Sequence, residues 1–266
     1  MLRALATATF FFTMTPLLIS VQWLLGKLGL PGWGFIACNY YKVLIRILGI
    51  RVRVAGELVR DRAVLLVSNH VSWADILVIG SVAPLAFISK AEIRKWPLVG
   101  ITAELQRTVF VDRARRQQTG DAIAEIVSRL SGGTTMVLFA EGTSSDGNHV
   151  LPFRSALVGA VKEAGTRSES GIVVQPMSIC YTAINGIPMG RQYRPVIAWY
   201  GDLDFLPHIK GLMNTGAVDA VVSFGEPITA DSSTDRKDMT RLLEGSVRKM
   251  VATTLRGRAA VVAATA

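Results

Sequence analysis

The amino-terminal segment constrains this chain most, because residues 4–26 contain no charged side chain. At about 1.5 Å per residue, a helix of that length spans the roughly 30 Å of hydrocarbon in a bilayer. Pro16 lies near the middle of the segment and removes a backbone hydrogen bond, so we predict a kinked helix or a helix in two pieces. A cleaved signal peptide is the alternative, but no small-x-small cleavage site follows. We therefore expect the chain to keep this segment and to enter the membrane with it.

A second apolar segment covers residues 35–50 and carries Lys42 and Arg46 on one helical face. A core helix of a soluble domain is the alternative interpretation of this segment. Together the two segments predict that residues 1–50 form a membrane-anchoring helical hairpin. Either the hairpin dips into one leaflet, or its first helix spans the bilayer and its second lies on the surface.

The composition of the chain fits contact with lipid. Half of the residues (50%) are hydrophobic and 18% are charged, which is more apolar than an ordinary soluble domain. The net charge of +9 favours an acidic partner, such as anionic lipid or an acidic carrier protein. There is no run of Lys or Arg, no aromatic RNA motif and no zinc-finger spacing, so no nucleic-acid partner is expected. Cys38 and Cys180 show no C-x-x-C spacing and are predicted to be buried thiols.

From residue 51 to residue 266 the pattern predicts one catalytic α/β domain. Short apolar runs alternate with helical stretches, and continuous apolar runs indicate strands that helices cover on both faces of the sheet. The predicted strands are 52–54, 63–68, 85–89, 108–111, 134–139, 172–179, 196–199 and 220–224. The predicted helices are 72–80, 114–130, 155–163 and 234–255. The tail after Arg256 is expected to be frayed.

Among the three histidines, His70 has the setting of a functional residue. It follows a predicted strand and opens the turn into a predicted helix, and strand ends are where sites collect in α/β sheets. Asp75 comes five residues later, so a helical turn between them lets its carboxylate reach back to the imidazole. A carboxylate there fixes the tautomer and stabilises the imidazolium, as general-base catalysis requires. The alternative is structural: Asp75 or Ser72 caps the helix and His70 merely ends the strand.

Other strand ends carry polar side chains that parallel strands would bring beside His70. Lys90 and Arg113 follow two of the predicted strands and add positive charge. A hydroxyl-rich and Gly-rich turn, residues 140–147, follows strand 134–139, and it contains Glu141, Gly142, Thr143, Ser144 and Ser145. Each feature also has a structural interpretation, such as an ion pair for Arg113. By contrast, His149 and His208 fall in predicted loops and are expected to be exposed.

Four blocks of sequence occur in a recognisable order. They are Asn69-His70-x4-Asp75, Phe110-Val111-Asp112-Arg113, Phe139-Ala140-Glu141-Gly142-Thr143-x-Ser145 and Val174-Gln175-Pro176. This order, over residues 64–177, resembles the glycerolipid acyltransferase family, whose best-known bacterial members are the 1-acylglycerol-3-phosphate acyltransferases. The resemblance implies a mixed, mostly parallel sheet flanked by helices, with the catalytic domain on the cytoplasmic face of the bacterial inner membrane.

The resemblance also implies the substrates and the roles of individual residues. The donor would be an acyl-carrier-protein or acyl-CoA thioester and the acceptor a lysolipid, with no metal and no cofactor. His70 would be the catalytic base and Asp75 the residue that orients it. Arg113, Glu141, Gly142 and Thr143 would line the acceptor and thioester site, and Pro176 would shape its wall. Lys90, Ser144 and Ser145, which also lie at or just after strand ends, complete the predicted substrate-binding residues.

One departure from the family pattern bears on the acceptor. Phosphatidate-forming members usually carry Arg at the position of Ser144, and a guanidinium matches a phosphate in two hydrogen bonds. The stretch from Trp199 to His208 is similar to the lyso-ornithine lipid acyltransferases of the same family. We therefore predict lyso-ornithine lipid as the acceptor. Lysophosphatidate is the alternative, because Lys90 or Arg113 still offers a cation to a phosphate.

Other classes of protein remain as alternatives. A metal-dependent hydrolase would use His70, Asp75 and Glu141 as ligands, but the chain has no H-E-x-x-H spacing. A serine hydrolase would need a G-x-S-x-G turn, which is also missing. A lipid-binding protein that has lost catalysis is the non-enzyme alternative, and the presence of both His70 and Asp75 argues against it.

Overall fold

The computed structural model describes residues 2–30, 32–96, 99–111, 116–155, 158, 172–230, 235–259 and 261–262. Its helices are α1 (Leu2–Lys27), α2 (Trp33–Ile47), α3 (Ala74–Gly80), α4 (Val99–Leu105), α5 (Arg116–Ser131), α6 (Phe205–Asn214) and α7 (Arg236–Leu255). Its strands are β1 (Ile50–Ala55), β2 (Val64–Ser68), β3 (Ala86–Lys90), β4 (Val109–Val111), β5 (Met136–Phe139), β6 (Ile172–Ile184), β7 (Ile187–Pro188), β8 (Val218–Phe224), β9 (Ile228–Ala230) and β10 (Val261–Val262).

The strands form one sheet in the order β10-β1-β8-β6-β2-β5-β3-β4, and β7 and β9 also pair with β6. The strands β6, β2, β5, β3 and β4 are parallel neighbours, whereas β8 runs antiparallel to β6 and parallel to β1. The predicted mixed, mostly parallel sheet is therefore confirmed. Its parallel part brings the carboxyl ends of β2, β3, β4 and β5 to one edge, which is where such sheets hold their sites.

Helices cover both faces of the sheet, as the continuous apolar strands predict. Because side chains alternate along a strand, the neighbours Leu65 and Leu66 of β2 enter different apolar clusters. The first cluster, which contains Leu66, includes side chains of α2 and α3. The second, which contains Leu65, includes side chains of α5 and α7. All five residues of β2 are buried, so this strand lies at the centre of the core.

The amino-terminal segments form two packed helices. The Thr15 hydroxyl lies 2.7 Å from the hydroxyl of Tyr40, and Gln22 donates to the Trp33 carbonyl at 3.0 Å. α1 runs unbroken through Pro16, so the prediction of a helix in two pieces is wrong. A proline removes one donor from the ladder, and the hydrogen bonds on either side of it continue the helix.

α1 buries polar side chains and exposes apolar ones, which is the reverse of a helix in a water-soluble domain. Its buried side chains include the polar Thr7, Thr15 and Gln22. Its exposed side chains are large and apolar, among them Leu5, Phe12, Leu17, Trp23 and Leu24. A helix on a soluble core buries its apolar stripe and exposes its polar one. Arg3–Lys27 is also long and apolar enough to cross a membrane, so α1 is a candidate membrane span.

Some local predictions are wrong. The predicted strand 196–199 is instead a short 3-10 turn, Arg194–Val196, followed by the fully buried Ile197 and Ala198. An apolar run that is buried on all sides has the same composition as a core strand. β10 pairs with β1 where a frayed tail was expected. The predicted helix 155–163 lies mostly outside the described residues. Cys38 and Cys180 are free and buried, as predicted.

Candidate active site

His70 and Asp75 meet where β2 passes into α3. Nδ1 of His70 lies 2.8 Å from Oδ2 of Asp75, the distance of a full hydrogen bond. The His70 side chain is 19% exposed, whereas the Asp75 side chain is fully buried. The imidazole also stacks on the ring of Phe139, with 4.0 Å between centroids. Nε2 of His70 has no hydrogen-bond partner within the described part of the chain, so this nitrogen is available to a substrate.

Asp75 is a buried carboxylate with four donors around it. Oδ2 also accepts from the backbone N–H groups of Val71 at 2.6 Å and Ser72 at 3.0 Å. Oδ1 accepts from the hydroxyl of Tyr181 at 2.8 Å. Hydrogen bonds to an ionised acceptor are stronger than neutral ones, so these donors stabilise the charge. Asp75 thus holds the turn that precedes α3 and the imidazole at the same time, so its position agrees with both the structural and the catalytic interpretation.

Asn69 fixes the backbone just before His70. Its side-chain Nδ2 donates to the carbonyl of Ile179 at 3.0 Å, and its Oδ1 accepts from the Ile179 N–H at 2.9 Å. The Asn69 amide therefore extends the pairing of β2 with β6 by one step after the strand has ended. This role was not predicted from the sequence.

The turn after β5 holds His70 through both of its backbone groups. Oε1 of Glu141 accepts from the His70 N–H at 3.2 Å, and the Ser145 N–H donates to the His70 carbonyl at 2.8 Å. Gly142 has a φ of 72°, a left-handed conformation that favours glycine. The parallel strands thus bring this turn beside His70, as the sequence predicts.

Glu141 is a nearly fully buried carboxyl group. Burial raises the pKa of Glu141 to about 8, and the nearby charge of Asp75 acts in the same direction. The backbone N–H groups of His70 and Leu151 lower this pKa by hydrogen bonding but do not offset the burial. Oε2 is buried without a partner among the described residues. Within the same residues, no group of three or more His, Cys, Asp or Glu side chains could hold a metal ion.

Ser144 is bound to a segment that the sequence did not place at the site. Its hydroxyl donates to the carbonyl of Trp199, and the Trp199 N–H donates to the Val71 carbonyl at 2.9 Å. Trp199 therefore links the turn after β5 with the turn before α3. Thr143, in contrast, is exposed.

Four half-buried aromatic side chains, the aromatic cluster, stand next to these turns. They are Trp73, Trp96, Trp199 and Phe205. The ring of Phe205 lies 5.5 Å from Trp73, 5.3 Å from Trp96 and 5.7 Å from Trp199, measured between centroids. Trp73 lies between His70 and Asp75 in the chain, so the cluster is in contact with the segment that carries the dyad.

His208 is part of α6 and is not the exposed loop residue that the sequence predicted. Its Nδ1 accepts from Nε1 of Trp73 at 3.0 Å, and its Nε2 lies 3.0 Å from the carbonyl of Ala198. Burial lowers the pKa of His208 below its ordinary value. A neutral ring that is protonated at Nε2 and unprotonated at Nδ1 satisfies both contacts. His208 therefore fixes the aromatic cluster to the buried segment at Ala198.

The remaining predicted site residues are spread more widely. Lys90 ends β3 and is exposed at the same sheet edge as His70. Arg113 lies outside the described residues. Pro176 is buried in β6, paired with Val67, and its ring lies close to Gly225. Met177, which follows Pro176 on β6, belongs to the first apolar cluster together with Phe139, the ring on which His70 stacks. Val174, two residues before Pro176, belongs to the second cluster with α7. Because side chains alternate along a strand, Pro176 falls on the face of Val174 and not on that of the dyad.

Comparisons with known proteins give a consistent picture. A family model described as "Acyltransferase" matches residues 50–180. The chain is 46% identical over 246 residues to a lyso-ornithine lipid O-acyltransferase of Brucella abortus (strain 2308), which covers 91% of each protein. It is 46% identical over 221 residues to a lyso-ornithine lipid O-acyltransferase of Rhizobium meliloti (strain 1021), which covers 83% of this chain and 76% of that protein.

A solved structure shares the fold. The crystal structure of a 1-acyl-sn-glycerophosphate acyltransferase from Thermotoga maritima superposes with a TM-score of 0.66 and 24% identity. The superposition covers 95% of this chain and 96% of that one, so it includes the amino-terminal helices as well as the sheet.

Proposed function

The chain belongs to the acyltransferase family, and we propose that it moves a fatty acyl group from a thioester donor to the hydroxyl of lyso-ornithine lipid, which gives ornithine lipid. The observation that carries the chemistry is the 2.8 Å contact between Nδ1 of His70 and Oδ2 of Asp75. The acceptor is supported by the two relatives at 46% identity, both of which are lyso-ornithine lipid O-acyltransferases.

In the proposed mechanism, Nε2 of His70 takes the proton of the lysolipid hydroxyl while the hydroxyl oxygen attacks the thioester carbonyl. The Nδ1–H group of His70 stays hydrogen-bonded to the carboxylate of Asp75, which stabilises the imidazolium that forms. Backbone donors or Arg113 stabilise the oxyanion. The C–S bond then breaks, and the imidazolium returns its proton to the leaving thiolate. No protein nucleophile is needed, and the acid and the base are the same residue.

Ser144 supports an acceptor without a phosphate. Its hydroxyl is bonded to the Trp199 carbonyl, so this position supplies no positive charge. A phosphate that lacks a charge-assisted partner here loses about 2 kcal/mol of binding free energy. An ornithine headgroup instead carries an ammonium group, which aromatic faces attract. The half-exposed ring of Trp199 and the exposed carboxylate of Asp202 both suit such a cation.

We place the enzyme at the inner membrane, with its catalytic part on the cytoplasmic side and α1 in the bilayer. The large apolar side chains on the outside of α1 support this placement. Nη1 of Arg3 donates to the carbonyl of Gly216 at 2.6 Å, so the start of α1 is bonded directly to the segment that leads into β8. In this placement we expect a lysolipid to reach His70 from the membrane without passing through water. The thioester donor is acyl-carrier protein or coenzyme A.

One panel of assays tests the acceptor and the donor together. Purified membranes that contain the enzyme receive either lyso-ornithine lipid or lysophosphatidate, and labelled acyl groups on either carrier protein or coenzyme A. We expect transfer to lyso-ornithine lipid to be at least about ten-fold faster at equal concentrations. A preference for lysophosphatidate would overturn the proposed acceptor. Absence of transfer from both donors to both lipids would overturn the enzymatic function in favour of lipid binding.

A further inference from the structure

The Asp75 carboxylate has a second buried neighbour besides His70. The hydroxyl of Tyr181 donates to Oδ1 at 2.8 Å, while Oδ2 takes the contact with Nδ1 of His70. Tyr181 is buried, and the side chain of Asp75 has no exposed surface. A hydrogen-bond chain therefore runs from the accessible imidazole through the carboxylate to a tyrosine in the core.

The backbone of β6 is irregular next to Tyr181. The register between β6 and β8 shifts directly after this residue, where Tyr181 opposes Ala220 but Ala183 already opposes Asp219. Irregularities of this kind re-aim side chains and recur beside active sites. Two residues earlier on β6, Ile179 is held by both amide atoms of Asn69. The same strand thus fixes the segments on both sides of the dyad.

We propose that Tyr181 is a positioning residue for acyl transfer, which holds the Asp75 carboxylate in the orientation and the charge state that His70 requires. This inference rests on the proposed function, because its test measures acyl transfer. Tyr181 does not touch the substrate and acts only through Asp75. Burial and the neighbouring Asp75 charge raise the pKa of Tyr181 well above its ordinary value, so the hydroxyl remains a donor throughout the working range.

Removal of the hydroxyl has an effect of definite sign. Oδ1 would remain buried without its donor, and the carboxylate would be less stabilised. The His70–Asp75 pair would then bind a proton more tightly, because the proton neutralises a charge that has lost a partner. His70 would be unprotonated only at higher pH. The acidic limb of the profile of kcat against pH would therefore move upward, since that limb reports the base in the enzyme–substrate complex.

The experiment compares Tyr181→Phe with Tyr41→Phe. Tyr41 is also buried, and its hydroxyl donates to Gln106 on the α2 and α4 side of the molecule. Both variants lose one buried hydrogen bond, but only one of them touches the dyad. For Tyr181→Phe we expect kcat to fall about ten-fold with unchanged KM, and the acidic limb to rise by about one pH unit. For Tyr41→Phe we expect lower thermal stability with the wild-type pH profile.

A second variant keeps the test sharp if Tyr181→Phe folds poorly. Site-specific 3-fluorotyrosine at position 181 preserves the shape of the ring and makes its hydroxyl a stronger donor. We expect the acidic limb to move to lower pH, opposite to Tyr181→Phe. A wild-type profile in the fluorinated enzyme, or in a folded Tyr181→Phe enzyme, would overturn the role of Tyr181. If the wild-type enzyme transferred no acyl group at all, the proposed function would fail instead.

Discussion

Two histidine–aspartate pairs occur among the residues that the structure describes, and they differ in almost every physical respect. Nδ1 of His70 is 2.8 Å from Asp75, with an aspartate side chain that is 0% exposed. Nδ1 of His149 is 3.4 Å from Asp146, with side chains that are 65% and 30% exposed. Besides the His149 ring, Asp146 accepts from the backbone N–H groups of Asn148 and His149 and from the Asn148 side-chain amide, all in its own turn, whereas Asp75 is held from β6 as well.

The difference shows what makes such a pair useful for chemistry. An exposed pair interacts weakly because water screens it and competes for its hydrogen bonds. A buried carboxylate that several donors hold in place interacts with its histidine without screening by water. The orientation of the ring is then set before the substrate arrives. The pair at His149 closes a turn, whereas the pair at His70 holds the proposed base at a sheet edge.

The largest effect separates the two histidines. His70→Ala should lower kcat by at least about 10³-fold, because the hydroxyl of the acceptor loses its base. His149→Ala, the matched control, should stay within about two-fold of the wild type, since an exposed side chain contributes little. Labelled acyl transfer in purified membranes measures both. Comparable activity in the two variants would remove the functional distinction between the pairs.

A somewhat smaller effect separates the two aspartates. Asp75→Asn should lower kcat by about 10²-fold or more, because a neutral amide no longer stabilises the imidazolium and presents a donor to the N–H groups of Val71 and Ser72. Asp146→Asn should keep nearly full activity. The measurement is kcat at saturating acceptor, with circular dichroism as the check that both variants are folded. Full activity in Asp75→Asn would contradict the assignment.

Ser144, in the turn that joins the two pairs, should control which acceptor is used. Ser144→Arg introduces a guanidinium that can bind the phosphate of lysophosphatidate, a group that the proposed acceptor lacks. We therefore expect the ratio of kcat/KM for lysophosphatidate over lyso-ornithine lipid to rise about ten-fold. Ser144→Ala removes the bond to the Trp199 carbonyl without adding charge, and it serves as the control. An equal change in both variants would attribute the effect to the lost hydrogen bond alone.

The smallest effect concerns the stability of the protein and the carboxyl group of Glu141, which accepts from the His70 N–H. Burial raises the pKa of Glu141 to about 8, above its ordinary value of 4.5, so the folded state keeps a proton that the unfolded chain has lost. The stability from this group is complete below about pH 4.5 and is lost as the pH rises toward 8. We expect the Tm to fall over this range by about 5 °C, and to fall less in Glu141→Gln. Parallel Tm curves for the two proteins would show that Glu141 does not titrate in this way.

The sequence predicts the dyad because both of its members belong to one local segment. A histidine at a strand end and an acid in the following helical turn meet through local geometry alone. Tyr181 is separated from Asp75 by 106 positions and lies in an apolar strand, where a tyrosine is typical of the core. The link from Ser144 to Trp199 also spans distant loops, and no periodic pattern predicts it. The chain order of the four blocks predicts the parallel sheet edge, but not the contacts that cross it.

The bond between Arg3 and the carbonyl of Gly216 has a consequence for the kinetics of the enzyme. In the proposed placement of α1 in the bilayer, this bond keeps the catalytic part at a constant height above the lipid surface. The enzyme then samples acceptors by diffusion in two dimensions, and its rate depends on their mole fraction in the leaflet. Dilution of the membrane with inert phospholipid should slow turnover even when the total amount of lysolipid per millilitre is unchanged.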